Sequence, residues 1–113
     1  MDNALHTAIA EIVPECYAIT APQTRGSLYA IWWRIGGEPG NYLDQEPPQV
    51  DHALVQIDVW GEDAMQVKTS MQQLKGALRD DDRMIITPVG NWRETYDPDM
   101  QLFCASHDFD VRF

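Results

Sequence analysis

The sequence predicts an α+β fold in which an antiparallel or mixed β-sheet of about four to five strands carries two helices packed on one face. Apolar and polar residues alternate along 50–60 and 101–113, as they do in strands with one buried face. A helical apolar stripe lies between these two stretches. The order helix, strands, helix, hairpin favours a two-layer arrangement, and the 113 residues are the length of a single domain.

The first half of the chain predicts one helix and two strands. Apolar residues at helical spacing predict a helix over 3–13, which ends because Pro14 offers no backbone donor. A short extended segment follows at 16–19. The aromatic and β-branched residues of 28–35 predict a firm strand.

A long connection, 38–49, follows this strand. It holds three prolines, a glycine and three acidic residues and shows no periodicity. A loop of this length in so small a domain is either functional or a mobile surface loop, and the sequence leaves both readings open.

The second half predicts a strand, a helix and a wide terminal hairpin. The strand covers 50–60, and two acidic residues then open a helix that keeps its apolar stripe as far as residue 79. The hairpin pairs 84–89 with 101–113, and Tyr96-Asp-Pro-Asp99 between them has the composition of a turn.

Three segments resemble those of one protein family. They are Tyr29-Ala-Ile-Trp-Trp-Arg-Ile-Gly-Gly37, Val55-Gln-Ile-Asp-Val-Trp-Gly61 and, after the Asp-Pro-Asp turn, Phe109-Asp-Val-Arg-Phe113. Together with the order of elements, they resemble the tail-completion, or tail-terminator, proteins of long-tailed bacteriophages. The resemblance covers nearly the whole chain and implies the same two-layer fold.

The resemblance also implies a function. Such subunits form a closed ring, typically a hexamer, that caps the tail tube, stops its polymerisation and docks the head-side connector or stopper protein. The implied partners are therefore other copies of the chain, the tail tube protein and the connector, with DNA only in passage through the pore. The implied location is the tail–neck junction of the virion, after assembly in the host cytoplasm.

Two alternatives stay open at this point. A neck or head-completion subunit also forms rings within the virion. A small acidic inhibitor or regulatory protein that occupies a basic site on its partner belongs to a different class. Eighteen acidic residues against eight basic ones give a net charge of −10, which fits either a solubilising surface or a surface past which DNA slides.

The composition argues against several other functions. A chain this acidic is unsuited to gripping phosphates. No stretch reaches the roughly 18 apolar residues of a membrane span, and the N-terminus lacks the pattern of a signal peptide. Familiar catalytic motifs are missing from the sequence, the three histidines lack metal-ligand spacing, and the two cysteines are expected to be reduced. We therefore expect no enzyme activity, no cofactor and no metal site.

Large aromatic residues predict a contact surface. Trp32 and Trp33 are neighbours on one strand, so one of them faces away from the helices. Trp60 and Leu54 share the non-core face of the next strand. The candidate subunit interface is therefore Trp32, Trp33, Leu54 and Trp60, unless the segment 38–49 folds over them.

Acidic residues occupy the polar faces of two strands. Asp58 lies on one of them, and Asp108 and Asp110 lie on the terminal strand. If both faces are free of helices, the three carboxylates form a wall that lines the pore and repels DNA. The rival hypothesis places them on the outer rim as solubilising charge.

Overall fold

Two helices and five strands form the described part of the protein. The computed structural model describes residues 2–19, 27–36 and 52–112, so the predicted connection 38–49 lies outside the described residues. In chain order the elements are α1 (Asp2–Ile12), β1 (Cys16–Ala18), β2 (Leu28–Gly36), β3 (His52–Gly61), α2 (Ala64–Arg79), β4 (Ile85–Asp97) and β5 (Leu102–Arg112).

The five strands form one mixed sheet in the order β1-β2-β3-β5-β4. The pair β1–β2 is parallel and the other neighbours are antiparallel. On the central strand, Ile57 lies opposite Trp32 of β2 and His107 of β5. This arrangement confirms the predicted α+β fold class.

The hydrophobic core lies between the sheet and the two helices, which pack on the same face. Alternate residues of β3 point into it, and Val55, Ile57 and Val59 are fully buried. Each buried aliphatic side chain contributes about 1.5–3 kcal/mol to folding. The helices supply the opposing layer with the fully buried side chains of Leu5, Ile9, Met71, Leu74 and Leu78.

The start of α2 is fixed by a cap and a close approach. Asp63 is the N-cap, and its carboxylate accepts the backbone N–H of Met65 at 2.9 Å. Gly61 ends β3 where an added Cβ would lie 2.7 Å from Cγ2 of Val67, so only glycine fits there without a shift. Strand and helix can therefore pack closely at this connection.

The predicted end of the first strand of the terminal hairpin was wrong, whereas the second strand lies where it was predicted. β4 does not end at residue 89 but continues to Asp97, with a register shift between Val89 and Arg93. Pro88 and Gly90 are residues typical of a turn. Proline is nevertheless tolerated on an edge strand such as β4, and glycine is tolerated where the strand pairing is irregular. Gly90 has a φ of 73°, in the left-handed region that favours glycine.

The turn of the hairpin lies further along, as its composition predicted. Oδ1 of Asp97 accepts hydrogen bonds from the backbone N–H groups of Asp99 at 2.9 Å and Met100 at 3.2 Å.

Neither helix of the described residues is long and apolar enough to cross a membrane.

Candidate functional site

The face of the sheet that points away from α1 and α2, called the helix-free face below, carries most of the predicted site. On β3 it presents Leu54, Gln56, Asp58 and Trp60, because the intervening residues enter the core. The partners of these residues on β2 and β5 point to the same side in antiparallel pairs.

Trp32 is the predicted interface residue that lies on the other face. It is 6% exposed, and its indole N–H donates to Nδ1 of His6 on α1 at 3.0 Å. Sγ of Cys16 lies 3.7 Å from the same nitrogen. Trp32 therefore belongs to the core, and its neighbour Trp33 is the member of the pair on the helix-free face.

A polar cluster occupies the centre of the helix-free face. Nε2 of Gln56 donates to Oδ1 of Asp58 at 3.0 Å and to Oγ of Ser106 at 3.1 Å, and the Ser106 hydroxyl donates to the same Asp58 oxygen. Asp58 is 8% exposed, and a carboxylate buried to this extent requires such donors to offset its lost hydration. Side chains of the protein thus hold this acid in place.

Arginines neutralise the other two predicted acids of this face. Nη2 of Arg93 lies 2.9 Å from Oδ1 of Asp108, and this hydrogen bond raises the pKa of the guanidinium. Nε of Arg112 lies 3.5 Å from Oδ2 of Asp110. The wall is therefore less negative than its three carboxylates alone imply.

Arg93 is the charged residue of this face that the sequence analysis missed. Arg93 was missed because residues 90–100 were interpreted as a connection, whereas β4 includes Arg93. The alternation of Trp92 to Tyr96 was the signal available, since it places Arg93 and Thr95 on one side of a strand.

The half-buried apolar residues of the face form two separate groups. Trp33 and Leu54 lie towards one end of the strands, and Trp60 lies towards the other, opposite Tyr29. Leu54 and Trp60 are six residues apart on β3, a distance of about 20 Å. The polar cluster lies between them.

The two cysteine thiols and the acidic turn at residues 80–82, which follows α2, are both accounted for by their local environment. Burial raises the pKa of Cys16 to about 11 and that of Cys104 to about 12, so neither thiol is poised as a nucleophile. After α2, Arg83 donates its backbone N–H at 2.8 Å and its guanidinium at 3.1 Å to Asp81, which lowers the pKa of that carboxyl. Within the described ranges, no group of three or more histidine, cysteine or acidic residues could hold a metal ion.

The described residues define a two-layer α+β domain whose sheet carries a polar cluster flanked by aromatic groups. The family model described as "Tail completion protein gp17" matches residues 3–113, and the chain belongs to that family. This confirms the predicted family. The protein is a structural component of a phage tail, located in the virion.

A solved structure supports the fold. A crystal structure from Akkermansia muciniphila superposes with a TM-score of 0.53 at 12% sequence identity, covering 97% of this chain and 45% of that chain. At this identity the likeness concerns the fold alone, and this chain spans less than half of the length of that one. None of the curated protein sequences matches this chain significantly.

Proposed function

We propose that the protein is a tail terminator: a subunit of a closed ring, a hexamer in the family it resembles, that caps the tail tube and stops its polymerisation. The opposite side of the ring docks the head-side connector. The mechanism is surface complementarity, because one side of the ring resembles the next layer of tube and the other side accepts no further layer. The observation that carries the proposal is the helix-free face, described above, on a member of the tail completion family.

The two apolar groups of this face are the proposed subunit contacts. Every subunit of a head-to-tail ring needs two different surfaces, one for each neighbour. Trp33 with Leu54 supplies one, and Trp60, about 20 Å from Leu54 along β3, supplies the other. Half-buried tryptophans are typical anchors of such contacts. Trp32 has no part in this proposal because it lies in the core.

The polar centre of the face is the proposed lining of the pore. Asp58, Asp108 and Asp110 all lie there, and the arginines beside the latter two are each held by a carboxylate. A guanidinium engaged in this way has less capacity to bind a phosphate, so DNA passes without sticking.

The oligomeric state tests the ring. Size-exclusion chromatography with light scattering, on the protein alone and mixed with tail tube protein, is expected to give a closed oligomer in at least the second condition. A monomer in both conditions and in the particle would contradict the proposed ring. Particles made without the protein separate a terminator from a neck subunit: loss of a terminator gives overlong tubes, whereas loss of a neck subunit leaves tube length normal.

The lining has its own test. Asp108→Asn with Asp110→Asn frees Arg93 and Arg112 to hold phosphates, so DNA delivery is expected to slow while the ring still forms. The matched control is Asp82→Asn with Asp99→Asn, which removes the same charge from two exposed positions in turns. Normal delivery by the first variant, or equal slowing by the control, contradicts the proposed lining.

A further inference from the structure

A groove between α2 and β4 gathers positive charge on a strongly acidic protein. Its volume is about 490 Å³, which is in the range of sites that bind ligands or peptide side chains. The contributing residues of α2 recur every three or four positions, so they form one wall about 10 Å long. The groove is lined by Gln72, Lys75, Gly76 and Arg79 of α2 and by Pro88 and Trp92 of β4.

Lys75 keeps its charge available in this groove. Its ammonium lies 5.4 Å from the ring centroid of Trp92, and it forms no ion pair with any residue of the described ranges. Lys68, on the same helix, instead pairs with Glu94 at 3.6 Å. The aromatic ring thus positions the Lys75 ammonium without neutralising it.

Arg79 adds a second available cation. Its Nε lies 3.2 Å from Oδ1 of Asp80, but both side chains are more than 70% exposed, and such pairs contribute little. Between the two cations, Gly76 leaves the wall open, since nothing lies within 4 Å of an added Cβ. The six residues that line the groove include two cations and no acidic residue, although the chain has eighteen acidic residues and eight basic ones.

We propose that this groove binds an acidic peptide segment that carries a proline, presented by a neighbouring protein of the tail. The carboxylates of the segment pair with Lys75 and Arg79, and its proline packs on Trp92 and Pro88. Charge complementarity carries the assignment, because a net charge of −10 repels other acidic surfaces except where cations are exposed. The proposal rests on the tail role only for the source of the segment, which is a neighbouring tail protein. The binding chemistry does not depend on ring formation.

A peptide with the sequence of residues 38–49 is a suitable probe. It has three acidic residues, three prolines and no basic residue. The receptor is the full chain with Glu38→Gln, Asp44→Asn and Glu46→Gln, so that its own segment does not compete. Fluorescence anisotropy of the labelled peptide is expected to show saturable binding that weakens severalfold as ionic strength rises.

Variants of the receptor locate the binding. Lys75→Ala with Arg79→Ala is expected to weaken it about tenfold, the effect of two lost charge-assisted contacts. Lys68→Ala is the matched control on the same helix and should leave binding unchanged. A peptide whose three acidic residues are replaced by their amides should not bind.

Four outcomes would overturn the proposal. The first is the absence of saturable binding, and the second is equal weakening of binding by Lys68→Ala. The third is binding of the amide peptide as tight as that of the acidic peptide. The fourth is a double variant that binds the peptide as tightly as the parent receptor, even if its melting temperature is lower. Light scattering on the same samples separates this proposal from the ring. Loss of peptide binding with assembly intact counts against the groove alone, and failed assembly with binding intact counts against the ring alone.

Discussion

The indole N–H of Trp32 donates a hydrogen bond to Nδ1 of His6 at 3.0 Å and thereby ties β2 to α1 within the core. The rings meet edge to face, with centroids 6.1 Å apart. His6 accepts through Nδ1, so its Nε2 carries the proton in the neutral ring. The contact lies on the core side of β2, where Trp32 is opposite the fully buried Ile57.

Trp32→Phe is therefore expected to lower the free energy of unfolding by ~1–2 kcal/mol, because it removes a part-buried hydrogen bond to His6 and part of the buried indole. Trp33→Phe, the neighbouring change on the opposite face, should leave the monomer nearly as stable. Urea unfolding of both variants checks this. Equal losses would mean that the hydrogen bond contributes nothing particular to the fold.

Trp60→Ala separates an interface role from a core role. If Trp60 anchors a subunit contact, the variant monomer stays folded and association weakens by ~2 kcal/mol or more. If Trp60 instead supports the monomer, unfolding becomes easier by ~3–5 kcal/mol. We expect the first result, measured by circular dichroism melts alongside light scattering, and a collapse of the monomer would contradict it.

Two glycine substitutions should have opposite signs. At Gly61, an added Cβ meets Cγ2 of Val67 at 2.7 Å, and valine is rigid in a helix, so Gly61→Ala should destabilise the protein by ~1–3 kcal/mol. At Gly76, inside α2, nothing lies within 4 Å, so Gly76→Ala should stabilise it by ~0.5–1 kcal/mol. Thermal melts of the two variants test the pair, and a stabilising Gly61→Ala would contradict the close approach.

His107 should make stability depend on pH. It is 3% exposed, and both ring nitrogens lack a hydrogen-bond partner among the described residues. Burial is the main cause that lowers its pKa, helped by Lys75 and Arg93, while Asp108 and a weak backbone contact with Gly90 oppose the shift.

The unfolded chain therefore takes up this proton at a higher pH than the native protein does. The free energy of unfolding should be constant above about pH 7 and fall below about 6.5, by up to ~1.4 kcal/mol per pH unit, until the native pKa is reached. Denaturant melts between pH 5 and 8 measure the slope. His107→Leu should flatten it, and an unchanged slope in that variant would assign the effect to another group.

Much of the architecture was predictable because it depends on local patterns. Period-two alternation located β3 and β5, and a period of 3.6 located α2. The same alternation placed Asp58, Asp108 and Asp110 on the polar sides of their strands. The course of β4 was not predictable in this way, because Pro88 and Gly90 are as typical of a turn as of an irregular edge strand, and local composition does not distinguish the two.

By itself, the sequence determined that Trp32 and Trp33 face opposite sides, since neighbouring side chains of a strand always do. Only the tertiary structure decided that Trp32 is the buried one, because α1 brings His6 against that side of β2. Likewise, the sequence determined an acidic face, but only the pairing of β4 with β5 brought Arg93 to Asp108. A contact between strands depends on register, and the shift between Val89 and Arg93 sets that register here.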